Sequence, residues 1–227
     1  MPIPLILAMD GFEIDDPVDI PPNIAWMCHL SPGNNSITSL PGNAMIVLTD
    51  RNSIDGCDPQ QIVSLLSELA PAKVLLDFQQ PVNAQSLSFA KALAQTLPCP
   101  VGVSKTYAQD LPCPVFLPPI PPNILPQDYL TPWGSREVWL EVALDACEIT
   151  VTTEESSTVP LPFGQAVEHA HRDADLYCHY FIRYENDALR FYLYRTREDV
   201  FSMLDAVDAP NVTLAVGLLQ ELAGDGK

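Results

Sequence analysis

The sequence predicts an α/β fold, a (β/α)8 TIM-like barrel in which several outer helices are shortened or replaced by proline-rich loops. Three observations predict it. Short, continuously apolar segments recur along the chain, as strands buried on both faces do. Over residues 44–107 they alternate with amphipathic helices, a rhythm that implies parallel pairing through right-handed crossovers. Outside one aromatic hairpin there are eight such segments, the number that closes a barrel. An open doubly wound sheet is the alternative. The 227 residues suit one barrel-like domain over 1–227, since α/β barrels run to roughly 200–250 residues as one domain.

Pro4–Phe12 is an apolar run closed by Asp10-Gly11, a first core strand and turn. Glu13–Asn23 is acidic and Pro-bearing, hence loop. Ile24–Leu30 is a short strand followed by the turn residues SPGNN. Ala44–Thr49 is a buried strand. Asp58 and Pro59 open a helix as N-cap and N1, with Ile62, Leu65, Leu66 and Leu69 on one stripe. Lys73–Phe78 is the next strand. Asn83 caps a second helix, striped by Leu87, Ala90, Leu93, Ala94 and Leu97 and ended by Pro98. Pro100–Tyr107 is another strand.

Residues 112–126 contain seven prolines. Proline lacks an N–H and fixes φ, so only Val115–Leu117 can be strand there. The rest reads as a stiff strap over the domain, with recognition through PPIPP as the alternative. Glu137–Asp145 alternates: Val138, Leu140 and Val142 share one face, Glu137, Trp139 and Glu141 the other. Ile149–Thr153 is β-rich, Glu154–Ser157 a turn, and Gln165–Arg172 a helix. Leu176–Tyr184 and Ala188–Arg195 flank Glu185-Asn186-Asp187 as an inserted hairpin over 176–195. Thr196 caps a helix over Arg197–Val207, and Asn211–Leu219 is the last strand. The change to β-rich sequence near residue 145 is consistent with a subdomain.

Composition narrows function. Eleven Lys+Arg against 29 Asp+Glu leave −18, with 47% hydrophobic residues and a mean hydropathy of +0.09. Such a chain builds a core and repels phosphate backbones and anionic lipid, so neither nucleic acid nor membrane is expected as partner. No basic residue precedes the first apolar run, and no run approaches the ~18 residues of a membrane span. A cytoplasmic protein with six free cysteines is expected, one disulfide being the alternative.

No nucleophile-elbow or phosphate-loop motif is present. His169 and His171 stand two apart and would diverge on a helix, so no metal site is expected from them with Glu168 and His179. No cofactor is expected either. The informative segment is Val74–Gln79. Asp77 and Gln79 lie on one side of the strand, at its C-terminal end, where barrels gather catalytic groups. A carboxylate late in an apolar strand is expensive to bury without partners. Asp10, Asp50 and Tyr107 also end predicted strands and are candidates to line the same mouth.

VLLDFQ resembles the fourth strand of glycoside hydrolase family 18, the chitinase-like barrels, whose motif is DxxDxDxE. The resemblance implies a barrel in which the motif Glu protonates the glycosidic oxygen. The preceding Asp orients the substrate acetamido group as internal nucleophile, unlike the two-carboxylate scheme. Asp77 falls on the last Asp of the motif, Gln79 on its Glu and Leu75 on its middle Asp. A glutamine amide has no proton to give and cannot be a general acid. The close match is confined to these residues, with a looser likeness over the first half of the chain. Two expectations follow: a glycosidase-like pseudoenzyme that binds a glycan or a protein partner, or a hydrolase using Asp77 and Glu141. In both, Gln79, Trp139, Tyr107, Asp10 and Asp50 are the candidate substrate contacts. Trp139 is the candidate stacking platform, with core packing as the alternative.

Overall fold

The computed structural model describes residues 2–10, 23–32, 44–51, 54–162 and 170–222. In chain order the first seven strands are β1 (Leu5–Asp10), β2 (Ile24–His29), β3 (Met45–Thr49), β4 (Lys73–Asp77), β5 (Val101–Ser104), β6 (Val115–Leu117) and β7 (Val138–Val142). Next come β8 (Ala146–Val151), β9 (Ser156–Leu161), β10 (His171–Asp173), β11 (Cys178–Glu185) and β12 (Ala188–Tyr194), then β13 (Val212–Leu218). The first seven and β13 close into a parallel barrel in the order β1-β13-β7-β6-β5-β4-β3-β2. All eight predicted segments are barrel strands, including the short ones at Ile24 and Val115.

Strand alternation sorts the apolar residues into two packings. Ala8, Ala25, Val47, Leu75, Phe116, Trp139 and Val216 fill the barrel interior. Leu48, Leu76, Val103, Leu117 and Leu140 face outward into the larger core under the helices. Gly102 makes room for Trp139: a Cβ there would lie 2.3 Å from the indole Cε3.

Helix α1 (Pro59–Leu69) starts as predicted, Asp58 accepting the Gln60 N–H at 3.0 Å. Helix α2 (Ala84–Thr96) opens with a reciprocal capping box between Asn83 and Ser86. Two short turns of helix, α3 (Pro126–Leu130) and a 3-10 turn over Thr131–Trp133, carry the chain from β6 to β7. Helix α4 (Arg197–Ala206) is capped by Thr196 and Asp199, and α5 (Leu219–Leu222) follows β13.

The inserted hairpin is the centre of a five-stranded antiparallel sheet, β10-β11-β12-β8-β9, placed between the seventh and eighth barrel strands. Asn186 and Asp187 take φ of +53° and +57° at its tip, the twist that a two-residue hairpin turn needs. Buried Arg195 joins this sheet to the proline-rich loop. Its guanidinium donates to the carbonyls of Ile120, Pro121, Leu176 and Tyr177.

Three predicted elements are corrected. The strand at Pro100–Tyr107 ends at Ser104, because Tyr107 N–H turns back to the Ser104 carbonyl. The predicted helix Gln165–Arg172 lies outside the described residues as far as 169; His171 and Arg172 belong to β10, paired with Tyr180 and His179. Ser156 and Ser157 begin β9 instead of closing a turn. All six cysteines are unbridged. Among the described residues, no helix is long and apolar enough to cross a membrane.

Candidate active site

The C-terminal ends of the barrel strands present one layer of polar residues above the apolar interior. Thr49 stands opposite Asp77 in the β3–β4 register. On β4 the inward positions run Leu75, then Asp77, so the same alternation that buries the leucine lifts the carboxylate into the mouth. Ser104, at the end of β5, buttresses it. The Ser104 hydroxyl accepts the Phe78 N–H at 2.9 Å, donates to the Leu76 carbonyl at 3.1 Å and sits 3.5 Å from Asp77 Oδ1. The exposed Gln79 amide donates to the same Oδ1 at 2.6 Å.

On β7, Trp139 and Glu141 point inward in successive layers. Glu141 therefore reaches the mouth and faces the same small cavity as Asp77. That cavity measures about 170 Å³ and is also lined by Gln79, Ser104, Lys105, Thr106 and Phe116. Burial, then the charges of Asp77, Asp145 and Glu221, push the Glu141 carboxyl up to about 7. Asp77 is raised as well. Burial is the main cause, with Asp50 adding to it and the bonds from Gln79 and Ser104 opposing it. The arrangement holds two half-buried carboxyl groups beside an amide and a hydroxyl. It can hold a proton at neutral pH and accept hydrogen bonds from sugar hydroxyls or an amide N–H.

The other predicted contacts are placed differently. Trp139 is 0% exposed, one layer below the mouth, its indole N–H donating to Glu137 at 3.1 Å. It is core and offers no face for stacking. Tyr107 is buried against Phe78, with ring centres 5.7 Å apart. Its hydroxyl reaches towards Ser86 without forming a full hydrogen bond, and burial raises its pKa. Asp50 is 1% exposed. Its two oxygens accept the Gln79 and Gln80 N–H groups at 2.8 and 3.0 Å, so it holds the β4 loop from below instead of facing the cavity. Asp10 ends β1 opposite Met27, and its side chain lies outside what the structure describes.

Sequence reasoning missed His29 and Thr49, the last inward positions of β2 and β3, joined at 2.7 Å between Nδ1 and Oγ1. Strand parity alone could have found them. Among the described residues, no three His, Cys, Asp or Glu are grouped to hold a metal. His179 instead bonds Asp199 at 2.8 Å, and His171 packs at a tilt against Tyr180; Glu168 and His169 lie outside the described residues.

No family model and no curated protein sequence matches the chain. Solved structures do. The spore cortex-lytic enzyme SleL of Bacillus cereus superposes with a TM-score of 0.51 at 9% identity, over 95% of this chain and 70% of SleL. The C-terminal domain of a protein assigned as a chitinase from Desulfitobacterium hafniense DCB-2 superposes with a TM-score of 0.51 at 12% identity, over 96% of this chain and 93% of that one. At these identities the likeness is one of fold alone.

Proposed function

We propose that the chain is a glycosidase-like barrel that binds a sugar at the mouth, with Glu141 as proton donor to a glycosidic oxygen and Asp77 as the second carboxyl group. One observation carries this reading: Asp77 and Glu141, from separate strands, line one cavity, and Glu141 is held near neutrality. A general acid works best when its pKa lies near the ambient pH. The resemblance of VLLDFQ to the family 18 motif and the fold shared with a cortex-lytic enzyme and a chitinase-assigned domain support an N-acetylated glycan as ligand class. In the family 18 scheme Asp77 would orient the acetamido group. Gln79, in the place of the acid, bonds Asp77 and has no proton to transfer, so the proton has to come from Glu141.

Gln79 also favours a second reading, in which the same cavity binds a glycan or a protein partner without cleavage. Hydrolysis of chito-oligosaccharides by the wild type and by Glu141→Gln separates the two. The first reading expects turnover that falls as pH rises through about 7, and a loss of about 100-fold or more in the variant. Sugar binding that Asp77→Ala abolishes, without turnover in the wild type, establishes the second. Absence of sugar binding overturns the first reading and the glycan form of the second, leaving only a protein partner.

A further inference from the structure

We propose that the sugar taken by this mouth carries a carboxylate, and that Lys105 is the residue that selects it. The proposal rests on the glycan reading above and names its substrate class. Lys105 lines the cavity with Asp77, Gln79 and Glu141. Its backbone is fixed at the rim: the Lys105 N–H donates to the Phe116 carbonyl at 3.0 Å, and its own carbonyl accepts the Ala108 N–H at 3.2 Å. The ammonium lies 5.8 Å from the centre of the Trp133 ring, a contact that restrains a lysine head without using its three hydrogen-bond donors.

Of the other cations, Arg136 is bound at the opposite end of the barrel, Arg195 is bound within the fold, and Arg51, exposed on the loop after β3, does not line this cavity. Arg136 donates to the carbonyls of Leu111 and Cys113, and Arg195 to those of Ile120, Pro121, Leu176 and Tyr177. Among the described residues Lys105 forms no ion pair, although two carboxyl groups share its cavity. Burial pushes the Glu141 carboxyl up to about 7, so it opposes an incoming anion less than a fully ionised carboxylate would. In a chain of net charge −18 an anion finds repulsion over most of the surface. An ammonium free of ion pairs at the rim of a sugar-sized cavity is where a carboxylated sugar gains a favourable charge contact. The lysine stem can bring Nζ within the ~4 Å of an ion pair.

Calorimetric titration with matched disaccharides tests this. The first pair is N-acetylglucosaminyl-N-acetylmuramic acid and its lactyl amide, of nearly the same shape, which removes the charge and puts two N–H donors in place of one acceptor. Chitobiose is the neutral reference, and an N-acetylglucosamine–glucuronate disaccharide asks whether the acid is preferred on the lactyl ether or on the ring. At low salt the wild type should bind at least one acidic sugar about 5-fold more tightly than its neutral counterpart. Lys105→Gln should bring that ratio to within about twofold of unity, and Lys105→Arg should keep it. A ratio near unity in the wild type, or one that Lys105→Gln leaves in place, overturns the role of Lys105 while the glycan reading stands. Failure of every disaccharide to bind overturns that reading and this inference with it.

Discussion

Glu141 carries the sharpest residue-level consequence. Its carboxyl has an ordinary value of 4.5 and stands at about 7 in the folded chain. The folded state therefore binds this proton more tightly than the unfolded state, and stability falls as pH rises from about 4.5 through about 7. Below that window the group has no effect; above it the penalty is complete, up to roughly 3 kcal/mol. Glu141→Gln should remove it, so the variant gains stability over the wild type at pH 8 and little at pH 4; urea midpoints at the two pH values check this. Gln79→Glu is the complementary change. It sets a carboxyl against Asp77 at the distance of the present 2.6 Å hydrogen bond, so the pair should retain a shared proton well above the ordinary carboxylate range. If Asp77 and residue 79 act as the family 18 motif implies, hydrolysis of a chito-oligosaccharide rises at least about tenfold; an unchanged rate counts against that correspondence. Asp77, Gln79 and Glu141 were legible because strand parity and position late in a strand are written in the sequence. Parity could not separate Glu141 from Trp139, which share a face but occupy different layers. Nor could it show that Asp50 turns its oxygens onto two N–H groups of the β4 loop.

At the scale of elements, the barrel interior depends on a paired large and small residue across β7 and β5. Gly102→Ala drives a methyl group into the Trp139 ring, 2.3 Å from Cε3, and rigid strands on both sides leave little room to yield. A loss of about 1–3 kcal/mol is expected, read as a lower Tm. Asp50→Ala should act locally. It leaves two loop N–H groups without their acceptor and should lower stability by about 1–3 kcal/mol; sugar affinity should weaken alongside, since Gln79 positions the Asp77 carboxyl. Equal affinity in that variant would mean the loop keeps its shape unaided. The eight barrel strands were readable because burial on both faces makes them continuously apolar. The inserted sheet was harder. Its edge strand β9 is exposed along most of its length, so Ser156–Leu161 carries no alternation, and β10 is three residues of His, Arg and Asp. Such strands exist through pairing with β8 and β11, which a local reading cannot see.

At the scale of the whole molecule, the aromatic sheet enters between the seventh and eighth barrel strands, and the proline-rich loop is tied to it by Arg195. Proline composition pointed to a stiff strap or a recognition segment; the buried arginine that bonds this loop stands far along the chain, just past the end of β12, and left no local signal. The net charge of −18 acts on the entire fold. Self-repulsion of this size should make the protein more stable as sodium chloride rises from about 10 mM to 0.5 M, seen as a rising Tm. The mouth is the part of this acidic surface from which an activity is proposed, and ligand-dependent thermal unfolding addresses that claim most directly. Wild type, Asp77→Ala and Glu141→Gln would be melted with and without saturating chito-oligosaccharide and its muramyl counterpart. The account predicts a higher Tm for the wild type with at least one of these sugars, about 2.7 kcal/mol of stabilisation at a hundred times Kd, and loss of the shift in Asp77→Ala. No shift with any sugar, or a shift that both variants retain in full, would contradict it.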